Sequence, residues 1–123
     1  MHLERQVRTV KHEIKKIARI VDEIVTHFLY SLESSRFELT YSEEEDTFVL
    51  AFTFHGVQLT SDAIAHLRKQ LKENRQPELE DYYWQLMGET EEDNELMLVS
   101  MMVDEAELDY EGGTIRLCLR RHR

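Results

Sequence analysis

The sequence predicts an α/β (α+β) two-layer sandwich over residues 1–123, with helices covering an antiparallel or mixed sheet. Three observations carry this. Apolar residues recur at helical spacing from Leu3 to Phe28. Two later regions each hold a pair of segments that alternate apolar and polar residues around a short turn. The order is helix, two strands, helices, two strands, which closes into helices on one layer and hairpins on the other.

Leu3, Val7, Val10, Ile14, Ile17, Val21, Ile24 and Phe28 step by fours and threes without interruption, the spacing of one helical face at heptad period. From Ile20 the face widens to take in Val25, Leu29 and Leu32. A narrow stripe suits a partner helix and a wide face suits a sheet. The expectation is one long helix over 1–32, whose second half packs on a sandwich of residues 33–123. Its first half overhangs and pairs with a second copy through Leu3, Val7, Val10, Ile14 and Ile17, because an apolar stripe left in water is a liability.

Phe37, Leu39 and Tyr41 alternate with Glu38 and Thr40, which is strand periodicity. Ser42 to Asp46 reads as a polar turn, and Phe48, Leu50, Phe52 and Phe54 form the return strand. Thr60-Ser61-Asp62 supplies an N-cap for a helix bearing Ile64, Leu67 and Leu71. Pro77 breaks that helix and can occupy the first turn of another, with Leu79, Tyr82, Tyr83, Leu86 and Met87 on it. An acidic loop over Gly88 to Asn94 leads into a helix over Leu96–Val103. The chain then forms a hairpin about Glu111-Gly112-Gly113-Thr114, with Leu108, Tyr110, Ile115, Leu117 and Leu119 inward and Arg116, Cys118 and Arg120 on the opposite face.

Fifteen basic against 25 acidic residues give a net charge of −10. That balance disfavours nucleic acid and anionic membranes and favours a basic protein surface. No run approaches the roughly 18 apolar residues that span a bilayer. The charged opening Met1-His2-Leu3-Glu4-Arg5 lacks the apolar core of a signal peptide. Cys118 is the only cysteine, so no internal disulfide can form. A cytoplasmic location is the expectation.

Four segments, in order, resemble the ATPase domain shared by histidine kinases, gyrase, Hsp90 and the anti-sigma-factor serine kinases, with the anti-sigma branch the most similar. Glu23-Ile24-Val25-Thr26-His27 stands where that family has Glu-Leu-Val-Thr-Asn. Phe54-His55-Gly56-Val57-Gln58-Leu59 stands where it has Asp-Asn-Gly-Val-Gly-Leu. Glu95-Leu96-Met97-Leu98 through Val103-Asp104-Glu105 resembles its Gly-Leu-x-Leu helix ending in Val-Asp-Glu, and Gly112-Gly113-Thr114 resembles the turn before its last strand. The resemblance spans about residues 15–120 and implies a histidine-kinase-like ATPase fold.

The chain departs from the family where the chemistry lies. The family's Mg²⁺-binding Asn is His27, and the Asp that bonds the adenine amino group is Phe54, which can accept nothing. Gln58 and Glu95 replace two glycines. Glu23, Gly56 and Thr114 keep family identity. Glu23 is a vestigial base position; His27, Gly56, Gly113 and Thr114 are vestigial cofactor positions. A helix N-terminus can seat phosphate, but Glu89, Glu91, Glu92, Asp93 and Glu95 crowd this one. Each carboxylate–phosphate pair costs about 1 kcal/mol in water and about 4 kcal/mol at an effective dielectric near 20. The leading expectation is therefore no cofactor, with ATP and Mg²⁺ as the alternative.

His12-Glu13-Ile14-Lys15 resembles the start of a histidine-kinase phosphoacceptor box, but too few residues separate it from Glu23 to form a two-helix hairpin. The six histidines (His2, His12, His27, His55, His66 and His122) show no ligand spacing, so no metal is expected. Tyr82-Tyr83-Trp84 reads as a cluster straddling a helix, partly core, and Met97, Met101 and Met102 as filling between helix and sheet. The acidic runs at Glu43–Asp46 and Glu89–Glu95 read as solvated turns that, as a pair, could attract a basic partner. Three functions follow in order: a non-catalytic regulatory or scaffolding module that binds protein as a homodimer, its partner a sigma factor or signalling protein; an ATP-binding anti-sigma-type serine kinase with a divergent site; and a phosphorelay accessory protein.

Overall fold

The computed structural model describes residues 2–72, 75–80, 82 and 92–123. Tyr83, Trp84, Leu86, Met87 and the acidic residues Glu89 and Glu91 lie outside that set, as do the side chains of Leu3, Val7, Val10 and Glu95. The fold is mixed α+β. Helix α1 (His2–Thr26) runs into a π turn (His27–Ser31); β1 (Arg36–Glu44) and β2 (Thr47–His55) form a hairpin; α2 (Ser61–Gln70) and a 3₁₀ turn (Pro77–Leu79) follow. Helix α3 (Glu92–Ser100) leads to the second hairpin, β3 (Glu105–Glu111) and β4 (Thr114–His122). The four strands form one antiparallel sheet in the order β1-β2-β4-β3. Among the described residues no helix is long and apolar enough to cross a membrane.

The core lies between the helices and one face of the sheet. Strand alternation sends Phe48, Leu50, Phe52 and Phe54 of β2, Ile115, Leu117 and Leu119 of β4, and Leu108 of β3 to that face. From α1, Ile17, Ile20, Ile24 and Phe28 close over them, joined by Leu67 of α2 and Leu96 and Val99 of α3. The opposite face stays polar, with Arg116, Cys118 and Arg120 on β4 as their alternation requires.

Helix α1 enters its own core earlier than the widening of its apolar face suggests. Ile17, expected at a seam with a second copy, is buried in the core, while Ile14 stays exposed. The helix ends through a widened turn: Glu33 takes the left-handed region (φ +56) and the Ser34 N–H returns to the Phe28 carbonyl at 3.1 Å.

The turn expected over Ser42 to Asp46 is only Glu45-Asp46, for Glu44 already pairs with Thr47. Polar residues did not end the strand because alternate positions of an edge strand face water in any case. Glu45 carries the turn at φ +55, a conformation that costs an L side chain about 1 kcal/mol. Gly112 (φ +58) and Gly113 (φ +80) make the second hairpin turn as anticipated, both in the region such two-residue turns demand.

Helix α2 starts where the sequence indicates: the Thr60 hydroxyl accepts from the Ala63 N–H at 3.1 Å. It ends at Gln70, well before Pro77, which opens only a 3₁₀ turn. Over the described residues helix α3 runs Glu92–Ser100, reaching four residues ahead of the expected start at Leu96 and stopping three short of Val103. Acidic residues are favoured in the first turn of a helix, so an acidic stretch extended it rather than preceding it.

Candidate functional site

Among the described residues, two places in the fold gather polar and titratable groups. The first is where the positions matched by the sequence resemblance fall. Gly56 follows β2 at φ +72, and a Cβ there would collide with the Ser35 hydroxyl. The next residue, Val57, donates its N–H to the Gly113 carbonyl at 2.9 Å. Tyr110 locks the same loop: its hydroxyl donates to the Val57 carbonyl at 2.8 Å and accepts from the Leu59 N–H at 3.3 Å. Gly56 and Gly113 are therefore brought together, but by backbone packing of one loop on another.

The side chains diverge. Phe54 is fully buried and stacks on Phe28 of the α1 extension, with ring centroids 4.4 Å apart and an interplanar angle of 10°. Phe52 and Phe37 flank it at 5.8 and 5.7 Å. His27 is buried, its ring edge-on to Phe28 at 5.5 Å. Glu23 is buried one turn earlier, with Arg19 Nε 3.8 Å from its carboxylate.

Thr114 lies on the other side of the sheet. Its hydroxyl is 3.4 Å from His55 Nδ1, and His55 Nε2 is 2.8 Å from the Glu38 carboxylate, which also accepts from Arg36 at 3.1 Å. The His55 hydrogen bond, with charge from His55 and Arg36, holds the Glu38 carboxyl below its ordinary value. The sheet thus stands between Thr114 and Glu23: the row Thr114–His55–Glu38–Arg36 is a polar ladder on the open face, while Glu23, His27 and Phe54 lie on the helix-covered side.

The second place is a buried ion network that the motif reading did not single out. Arg121, near the end of β4, is only 2% exposed. Its Nε and Nη2 donate to the two Glu13 carboxylate oxygens at 3.0 and 3.1 Å. Nη1 and Nη2 donate to the two oxygens of Glu80, the latter at 2.7 Å, and Nη1 also reaches the Met102 carbonyl at 2.7 Å. These five bonds use the five N–H donors a guanidinium possesses. Lys16 Nζ donates to Glu80 at 2.8 Å, while Arg75 joins Glu80 at 3.2 Å, Asp104 at 2.8 Å and the His122 carbonyl at 2.6 Å.

Lys16, Arg75 and Arg121 balance Glu13, Glu80 and Asp104, so the formal charges cancel. Burial by itself would raise the Glu80 carboxyl, but hydrogen bonds from Arg121 and Lys16 and the charges of Arg121 and Arg75 overrule it and hold it at about 2. Burial likewise disfavours the Arg121 cation, and the Glu80 and Glu13 carboxylates more than reverse that, raising it above the ordinary arginine range. The network's formal charges cancel and every Arg121 donor is engaged. It works as a latch joining α1, the 75–80 segment and the end of β4.

One signal in the sequence points to it. In β4 the inward positions are Ile115, Leu117, Leu119 and then Arg121, a cation on the apolar side of the alternation.

Among the described residues, no three His, Cys, Asp or Glu side chains gather in a way that could hold a metal ion. No match to the chain was found among family models, curated proteins or solved structures.

Proposed function

We propose that the chain is a non-catalytic regulatory or scaffolding module that binds another protein, built on a degenerate histidine-kinase-like ATPase frame and acting as a homodimer. The observation that carries this reading is the Phe54–Phe28 stack. If the resemblance holds, Phe54 occupies the position of the family's adenine-bonding carboxylate, and here that position is filled by two aromatic rings 4.4 Å apart. An adenine would have to displace a fully buried phenylalanine and would find no acceptor behind it. The order of elements and the Gly112-Gly113 turn support the frame; the separation of Thr114 from Glu23 by the sheet supports the loss of the site. The net charge of −10 supports a basic protein surface as partner, such as that of a sigma factor or another signalling protein.

The second reading, an ATP-binding serine kinase of the anti-sigma type, is favoured by Glu23, which keeps the family's base identity on α1. Calorimetry and thermal melts with Mg-ATP separate the two. The non-catalytic reading expects no saturable heat and no rise in melting temperature at millimolar nucleotide. Saturable binding that is lost in Glu23→Ala would replace it with the kinase reading.

A further inference from the structure

We propose that strand β1 joins the β1 of a second copy of this chain, antiparallel about a two-fold axis through Thr40, so that two four-stranded sheets become one. The proposal rests on the homodimer reading above and says which surface makes the dimer.

Strand β1 is one of the two sheet edges. It runs nine residues, Arg36–Glu44, with no proline and no lysine. Proline and lysine are two of the devices that blunt an edge whose N–H and C=O groups would otherwise pair with another chain. Its helix-side residues are left partly bare: Phe37 and Leu39 are 37% exposed and Tyr41 47%. Across a shallow apolar groove, lined by Ala18, Val21, Leu39, Tyr41 and Leu50, stands Ile14, 51% exposed. These four account for most of the large apolar side chains exposed among the described residues.

Charge selects the occupant and the register. A two-fold axis perpendicular to the sheet keeps the helix-covered face on the same side in both copies, so residues opposed across the seam must share a face. With Thr40 opposite its own copy, Arg36 opposes the second copy's Glu44 at both ends, Glu38 opposes Ser42, and Leu39 opposes Tyr41. A slip by two residues one way sets Glu38 against the second copy's Glu44. A slip the other way sets Arg36 against Ser42 and loses both ion pairs. The remaining edge, β3, is self-repelling: its open-face residues are Glu105, Glu107, Asp109 and Glu111, so antiparallel pairing with itself opposes acid to acid throughout. The seam at β1 also brings the groove-side flank of α1, with Ile14 and Val21, up to the same flank of the second copy.

The test is sedimentation equilibrium of the full chain across a concentration series. Wild type is expected to dimerise. Arg36→Glu and Glu44→Arg, both at exposed side chains, are each expected to raise the dimer dissociation constant about threefold to tenfold, since each sets like charges together twice. The double variant, Arg36→Glu with Glu44→Arg, is expected to return within about twofold of wild type, because the pairs reform with their signs exchanged. A dimer indifferent to the single changes, or not restored by the double, overturns the β1 seam and leaves the homodimer reading standing. A monomer at every concentration overturns both.

Discussion

The guanidinium of Arg121 meets both carboxylate oxygens of Glu80 across 41 residues of sequence, inside the fold. Glu13 approaches the same guanidinium from α1, 108 residues away. The contact therefore links the helix layer, the 75–80 segment and the sheet at one point. Removing one member of such a pair costs more than the pair is worth, because the remaining charge stays buried without its counter-charge.

Arg121→Met should destabilise the fold by about 3–5 kcal/mol, leaving Glu80 with Lys16 and Arg75 and stripping Glu13 of its two Arg121 bonds. Arg121→Lys should recover less than half of that, since an ammonium cannot supply two forked pairs at once. Urea midpoints at constant slope measure both. A loss below about 1 kcal/mol for Arg121→Met would mean that the network relaxes around the gap.

The acid side of the stability curve should carry the signature of Glu80. Its carboxyl is lowered from 4.5 to about 2 in the folded chain, so the folded state binds this proton less readily than the unfolded state. Its contribution to stability is complete above the ordinary value and fades as the pH falls through about 2. Thermal melts between neutral pH and pH 2 should show a steeper acid decline in wild type than in Glu80→Gln, whose curve starts lower. Parallel curves would assign acid unfolding to other carboxylates.

Phe54→Asp installs the residue found at the matching position of the family the sequence resembles, yet it should not confer nucleotide binding. The ring is fully buried on Phe28 and Phe52. Truncating it costs about 3–5 kcal/mol, and a buried carboxylate adds to that. The variant should unfold or melt far below wild type, with no stabilisation by Mg-ATP. A folded Phe54→Asp protein whose melting temperature rises with Mg-ATP would contradict this.

Glu45→Gly should stabilise the first hairpin by about 0.5–1 kcal/mol, because φ +55 is strained for glutamate and free for glycine. A higher melting temperature is the expected readout. Glu45→Val should move it the other way.

Elements whose evidence is local were legible in the sequence. The alternation in β2, the Thr60 cap and the Gly112-Gly113 turn each follow from neighbouring residues, and each lies where the pattern puts it. The boundaries of α3 and of the first hairpin shifted because polar residues are compatible with both a loop and a water-facing element. The ion network escaped motif reading for a different reason. A buried arginine is tolerable only beside its counter-charges, and Glu13 and Glu80 reach Arg121 through tertiary structure alone. Its inward register was visible in β4, but its partners were not. Glu23, His27, Phe54 and Thr114 were legible as residue types and not as a site, since strand alternation assigns Thr114 to the face opposite Phe54.

The span of the Arg121 contacts also sets an order of events during synthesis. Glu80 precedes Arg121 by 41 residues, which at about 5–20 residues per second is a delay of roughly 2–8 s. Through that interval β4, the inner neighbour of β2, is still missing, so Phe52 and Phe54 lie beside an unfilled place in the sheet. Glu13 and Glu80 wait for their shared cation. The nascent chain then passes through a stage with an apolar hairpin on display and Glu13 and Glu80 not yet tied to Arg121, when a chaperone or a second nascent copy has its best opportunity to engage it.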